Sequence, residues 1–255
     1  MRCTPQVRAL DWLVAKPIAH RGLHQEAKGI VENCESAFAA AIENNFSIEC
    51  DIELTKDGEA VVFHDDVVER VLDAKGAVKS FTTAELKNMR YLQGRDKIQT
   101  LAELLEQVAG LTTIVIEIKS LWDDDFTLTD RAIKVLAQYN GPYVLMSFDP
   151  DLIARVAAVA PDTIRGITAD RVIDPYYNAL PIAKRLSMQN YWHLPFSRPH
   201  FVSFDFSQLP FQPITQFRAA GHPILTWTIR SDEQAALARQ YCDQITFEYF
   251  IPAVR

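Results

Sequence analysis

Short apolar runs rich in Ile, Val and Phe alternate along this chain with longer stretches whose apolar residues recur at helical spacing. The runs predicted as strands are Lys16 to Gly22, Ser47 to Thr55, Thr113 to Lys119, Tyr143 to Phe148, Thr163 to Thr168, His200 to Asp205, Pro223 to Ile229 and Asp243 to Tyr249. Between them the spacing predicts helices. Cys34 to Asn45 gathers Ala37, Phe38, Ala41 and Ile42 on one face, with Asn33 as its expected cap. Capping boxes Thr82-x-x-Glu85 and Thr100-x-x-Glu103 open a short helix to Met89 and a longer one ending near Gly110. Further helices are expected over Asp124 to Tyr139, from Asp149-Pro150 to Pro161, from Asp174-Pro175 to about Ser187, over Pro213 to Ala220, and from Ser231 to about Tyr241.

Strands that follow one another through helices pair in parallel with right-handed crossovers, and eight such units close a barrel. Here they begin at residues 17, 47, 113, 143, 163, 200, 223 and 244. The predicted class is therefore α/β, a (β/α)8 TIM barrel. A Lys-Asp-Gly turn at residues 56–58 and the return run Glu59 to Phe63 add a small hairpin insertion after the second strand. No repeat, linker or low-complexity tract divides residues 1–255, so a single domain is expected.

Alternation along a strand puts Glu49 and Asp51 on one face and Ile48, Cys50 and Ile52 on the other. Glu117 and Lys119 share a face of a later apolar strand, and the hairpin returns His64-Asp65-Asp66 toward the same end. Acids inside apolar strands are costly unless positive charge meets them, and a hard divalent cation is one way to supply it. The other is a buried salt-bridge cluster of Glu49, Asp51 and Glu117 with Arg21 and Lys119. Polar residues finishing the strands gather at the carboxyl mouth of a barrel: His20, Arg21, Glu49, Asp51, Glu117, Lys119, Ser147, Asp205, Trp227 and Glu248.

Composition narrows the partners. A net charge of −7 argues against a nucleic-acid backbone as principal ligand but permits a small anion held by one or two local cations. Cys3, Cys34, Cys50 and Cys242 lack Cys-x-x-Cys spacing and are expected as reduced, mostly buried thiols. Met1 to Pro17 carries no signal-peptide core and no run reaches membrane-spanning length, so a cytoplasmic protein without a membrane span is expected. Oligomeric state is left open.

His20-Arg21-Gly22, Glu32-Asn33, Glu49-x-Asp51, Thr55-Lys-Asp-Gly58 and His64-Asp65 together resemble the glycerophosphodiester phosphodiesterase family. Glu117-Ile-Lys119, Ser147-Phe148, Trp227-Thr228 and the final strand from Asp243 to Thr246 extend the likeness over nearly the whole chain. The resemblance implies a barrel enzyme that hydrolyses glycerophosphodiesters to glycerol 3-phosphate and an alcohol. It implies one divalent cation, Mg2+ or Ca2+, on Glu49, Asp51 and Glu117, His20 and His64 as general acid and base, and Arg21 and Lys119 on the phosphate. Departures are Cys34 where the family usually has Thr, Phe46 near a usual Gly, and Phe247-Glu-Tyr where Asp is commoner; none touches those residues.

Trp227 is a candidate apolar wall for the substrate and equally a core aromatic. Glu53 is either a rim residue or solvated, and Asp65 and Asp66 orient His64 or cap its loop. His24, His193, His200 and His222 are expected to be structural. Rival functions are lysophospholipase D action, with Trp192, Phe196 and Phe201 as an apolar flank, a metal-free phosphoinositide-type lipase, and a non-catalytic binder of phosphodiester metabolites.

Overall fold

In a computed structural model, residues 10–253 are described. The strands are β1 (Ile18–Ala19), β2 (Ser47–Leu54), β3 (Ala60–Val62), β4 (Ile114–Ile118), β5 (Tyr143–Ser147), β6 (Arg165–Ala169), β7 (Phe201–Asp205), β8 (Ile224–Ile229) and β9 (Gln244–Phe247). Parallel pairing runs β1-β9-β8-β7-β6-β5-β4-β2, and β1 also pairs with β2, which closes eight strands into a TIM barrel. β3 lies outside this ring and runs antiparallel to the end of β2, Ile52 opposite Val62 and Leu54 opposite Ala60.

The register explains why alternation matters. On β2, Ile48, Cys50 and Ile52 face outward and pack with Phe38 and Ala41 of the helix Glu35–Glu43 and Leu101 and Leu104 of the helix Leu101–Val108. The floor of the barrel is apolar: Ile18, Val115, Val144, Met146, Phe201 and Leu225 cluster with Leu10 and with Leu13 from a short N-terminal helix. A satellite core under the segment after β3 joins Phe63, Val68, Leu72, Leu86 and Ile98 to Cys34 and Ala37.

Both capping boxes form with both hydrogen bonds, at Thr82 with Glu85 and at Thr100 with Glu103. Asp149 and Ser231 cap through their side chains as their sequence positions predict. Asn33 does not. The helix starts at Glu35 with Cys34 as its cap residue, while Asn33 sits in the left-handed region (φ 54°) and spends its amide elsewhere. The helix expected from Asp124 starts instead at Thr127, because Trp122 and Asp124 take positive φ and Asp125 accepts from the Thr127 amide and hydroxyl.

The helix expected from Asp174 to Ser187 is broken into a 3-10 turn, Pro175–Ala179, and a helix, Ile182–Gln189. Pro181 pushes Leu180 out of the helical region (ψ 151°), and the sequence contains that breaker in plain view. The aromatic loop Tyr191 to Pro199 contains the short helix Leu194–Ser197. Cys34, Cys50 and Cys242 are buried free thiols, and Cys3 lies outside the described residues. Among the described residues no helix is long and apolar enough to cross a membrane.

His193 is buried and its Nδ1 lies 2.9 Å from Ser197 Oγ. Burial lowers its pKa from 6.5 to about 4. The folded state thus disfavours the imidazolium, so stability present above pH 6.5 drains away as pH falls toward 4, by up to about 3 kcal/mol. Denaturant midpoints measured from pH 7 to pH 4 should fall more steeply for the wild type than for His193→Gln, and parallel curves would show that His193 does not contribute this loss.

Candidate active site

At the tip of β1 the chain turns sharply through Arg21 (φ 54°) and Gly22 (φ 78°). Gly22 is required: a Cβ there would stand 2.9 Å from the backbone carbon of Ala37. This turn sends the Arg21 amide to Glu49 Oε2 (2.9 Å) and aims the His20 ring along the mouth. His20 Nδ1 donates to Glu248 Oε2 at 2.7 Å, leaving Nε2 facing Glu49 Oε2 at 4.0 Å. Burial lowers the His20 pKa despite that hydrogen bond, so at neutral pH the ring is uncharged. Glu248 also takes Arg230 Nε at 2.7 Å, and these partners overcome burial to hold its carboxyl below the usual range.

β2 and β4 are neighbours with Asp51 directly opposite Glu117. Glu49, Asp51 and Glu117 therefore converge: all three are buried, and one oxygen from each lies within 4.8 Å of the others. Lys119 Nζ reaches Asp51 Oδ1 at 2.6 Å and Glu117 Oε1 at 2.5 Å, and Arg21 Nε stands 3.5 Å from Asp51 Oδ2. Asn33 grips Asp51 twice, its Nδ2 donating to Oδ2 at 2.8 Å and its Oδ1 accepting the Asp51 amide at 3.2 Å. Thr168 Oγ1 donates to Glu117 Oε2 at 3.4 Å.

The charges are unevenly settled. Burial alone would raise Asp51, but Lys119, His64 and Arg21 hold it far below its ordinary value. Glu49 is pushed well above its ordinary value by burial and by Asp51 and Glu117, more than Arg21 offsets. A buried trio of hard oxygen donors with one carboxyl short of positive charge is the donor set that Mg2+ or Ca2+ takes. The residues present fit such an ion.

His64 enters from the segment following β3. Its Nδ1 lies 2.6 Å from Asp65 Oδ1, Asp65 Oδ2 takes Arg70 Nε at 2.5 Å, and Arg70 grips Glu32 through both terminal nitrogens. Glu32 also accepts from Arg21 Nη1 at 2.9 Å. A chain of ion pairs thus joins the loop that carries His64 to the tip that carries His20. Asp65 stands behind His64, and Lys119 makes the ion pairs with the acids that the sequence allowed, whereas Arg70 lay in a polar stretch with nothing to mark it. Glu248 was visible only as one more strand-end acid.

A cleft of about 870 Å³ opens beside Glu117, Lys119 and His64. Glu53 lines it, buried rather than solvated, and burial raises its carboxyl to about 8. Trp227 does not line this cleft; its indole donates to Ser203 O at 3.2 Å and packs edge to face on Phe148, which does. Ser147 is structural, donating to Ile118 O at 2.7 Å.

Residues 20–246 match the model of the glycerophosphoryl diester phosphodiesterase family. A glycerophosphodiester phosphodiesterase from Caldanaerobacter subterraneus is 33% identical over 175 residues, covering 64% of this chain and 70% of that protein. Among solved structures, a phosphodiesterase from Oleispira antarctica in complex with sn-glycerol 3-phosphate is similar at a TM-score of 0.75 and 24% identity, with 91% of each chain covered. The glycerophosphodiester phosphodiesterase from Thermotoga maritima is similar at a TM-score of 0.68 and 24% identity, covering 90% of this chain and 92% of that one. At these identities the solved structures speak to the fold.

Filling the trio with a cation would stabilise the fold by an amount that grows with the logarithm of cation concentration, about 2.7 kcal/mol at a hundredfold excess over Kd, and so raise the melting temperature. Thermal melts with Mg2+ or Ca2+ against EDTA should show this shift in the wild type and lose most of it in Glu117→Gln. A shift of equal size in that variant would place the ion elsewhere.

Proposed function

From the premise that the chain belongs to the glycerophosphoryl diester phosphodiesterase family, we propose that it hydrolyses glycerophosphodiesters to glycerol 3-phosphate and an alcohol. In this reading one divalent cation, Mg2+ or Ca2+, is held by Glu49, Asp51 and Glu117, and His20 and His64 are the general base and acid. The observation that carries it is the meeting of that buried trio with two differently supported histidines at one barrel mouth. When bound, the cation supplies positive charge to a non-bridging phosphate oxygen as negative charge grows there.

The remaining work falls to side chains. Arg21 and Lys119, already fixed by Glu32, Asp51 and Glu117, present positive charge to the phosphate. His20, kept neutral by burial and held by Glu248 through Nδ1, has its Nε2 lone pair available to take a proton from the attacking hydroxyl. His64, backed by Asp65, lines the open cleft and is placed to give a proton to the departing alkoxide. The attacking group is water or the glycerol hydroxyl of the substrate itself. Released alcohol then leaves through the cleft.

Release of glycerol 3-phosphate from glycerophosphocholine should stop on chelation with EDTA and return with added Mg2+ or Ca2+; turnover that persists after exhaustive chelation removes the ion from the reaction. His20→Ala and His64→Ala should each keep the fold by circular dichroism and lose about a hundredfold to ten-thousandfold in kcat. A near-normal rate in either removes that ring from the chemistry.

Glu248→Gln tests orientation separately. It removes a negative neighbour that raises the His20 pKa. The acid limb of the kcat/KM profile should therefore move to lower pH while kcat drops by about tenfold or more. An unmoved limb would show that Glu248 does not act through His20.

A further inference from the structure

The cleft beside His64 is built differently from the phosphate end. Past Lys119 its walls are Trp122, Phe148, Tyr176 and Tyr177, brought together by the loops after β4, β5 and β6. Tyr176 and Tyr177 meet edge to face with centroids 5.5 Å apart, Trp122 meets Tyr177 at 6.4 Å, and Trp122 Nε1 donates to the Tyr176 hydroxyl at 2.9 Å. The three rings therefore form one braced wall. The acids on the same cleft are Glu53, Asp65, Asp66, Glu117, Asp170 and Asp174, and among the described residues no cationic side chain lines it beyond Lys119 and His64.

Two observations say what this lining awaits. Asp66 and Asp174 line the cleft and, among the described residues, neither forms an ion pair. The acids are also too dispersed for a metal ion. Among the described residues only Glu49, Asp51 and Glu117 bring three ligand atoms within mutual reach. Negative charge spread around aromatic faces, without the tight oxygen cage a small hard ion needs, suits a bulky organic cation. The Trp122 ring already accepts one cation in this way: Lys184, which does not line the cleft, holds its Nζ 5.1 Å from the ring centroid.

We propose that this cleft is the subsite for the alcohol arm of the diester and that it selects a positively charged amino alcohol, of the choline or ethanolamine type, over neutral alcohols. The proposal rests on the phosphodiesterase reading for the identity of the arm, since the cleft begins at His64 and Lys119, where a phosphate ester would be held. Trp122 and Tyr176 are its specificity residues, and the aspartates Asp66, Asp170 and Asp174 on the same walls offer carboxyl oxygens to the cationic head.

The test separates the subsite from the reaction. Binding of choline and of its neutral isostere 3,3-dimethylbutan-1-ol is followed by calorimetry on the intact, cation-loaded protein. Choline should bind about tenfold tighter, and Trp122→Leu should reduce that ratio to about threefold or less. Because Tyr176 is largely exposed, Tyr176→Leu provides a second variant that folds independently of any damage at Trp122 and should also lower the ratio. In turnover, kcat/KM for glycerophosphocholine should exceed that for glycerophosphoglycerol by about the same tenfold factor. Equal binding of choline and the isostere, or a ratio that neither variant lowers, overturns the subsite even where both diesters are hydrolysed. Absence of turnover on every diester, with the choline preference intact and lost in the variants, would overturn the hydrolase reading and leave the cation subsite standing.

Discussion

The constraint on which this structure turns is the cost of placing three carboxylates together inside a barrel. Each would be expensive to bury alone, and together they repel. The fold meets that cost by strand register. Asp51 faces Glu117 across β2 and β4, Lys119 follows two residues later on the same face, and the tip of β1 delivers Arg21 and the Arg21 amide. A slip of one residue by β2 would turn Glu49 and Asp51 away from Glu117 and into the helical layer. The apolar outward faces of the same strands oppose that slip, since Ile48, Cys50 and Ile52 are wholly buried against the helices.

The two histidines are kept apart in chemical character by what stands behind them. His20 is enclosed and supported by Glu248, itself tied to Arg230, so the ring stays neutral and fixed. His64 is half-buried at the edge of the cleft, with Asp65 and Arg70 behind it. In the proposed reaction, such unequal surroundings would let one residue type serve opposite ends of a proton transfer. Glu32 joins the two environments by pairing with both Arg21 and Arg70.

Much of this was legible in the sequence because barrels impose simple periodicities. Alternation placed Glu49 and Asp51 on one face, two capping boxes located helices, and the order of strands gave the closed parallel ring. What escaped was governed by contacts between residues distant in the chain. Asn33 looked like a helix cap, since Asn before an amphipathic run usually is one, yet its left-handed backbone turns its amide onto Asp51. Arg70 carried no periodic signature, and its importance arises only when the segment after β3 folds against Glu32. Pro181 was a visible breaker outweighed by helical spacing on either side of it. Trp227 lies inside β8, two residues short of its end, and packs edge to face on Phe148, which lines the cleft where Trp227 does not.

The satellite core beneath the segment after β3 has its own bearing on heredity and design. Phe63, Val68, Leu72, Leu86 and Ile98 do not belong to the barrel's own cores, yet they set the platform from which His64 and Arg70 reach inward. Damage there would leave the eight-stranded ring closed while the imidazole at the rim drifted from its station. A random screen for inactive but well-folded variants would accordingly collect lesions in this remote apolar patch alongside those at the acids, and grafting the chemistry onto another barrel would require transplanting the patch as well.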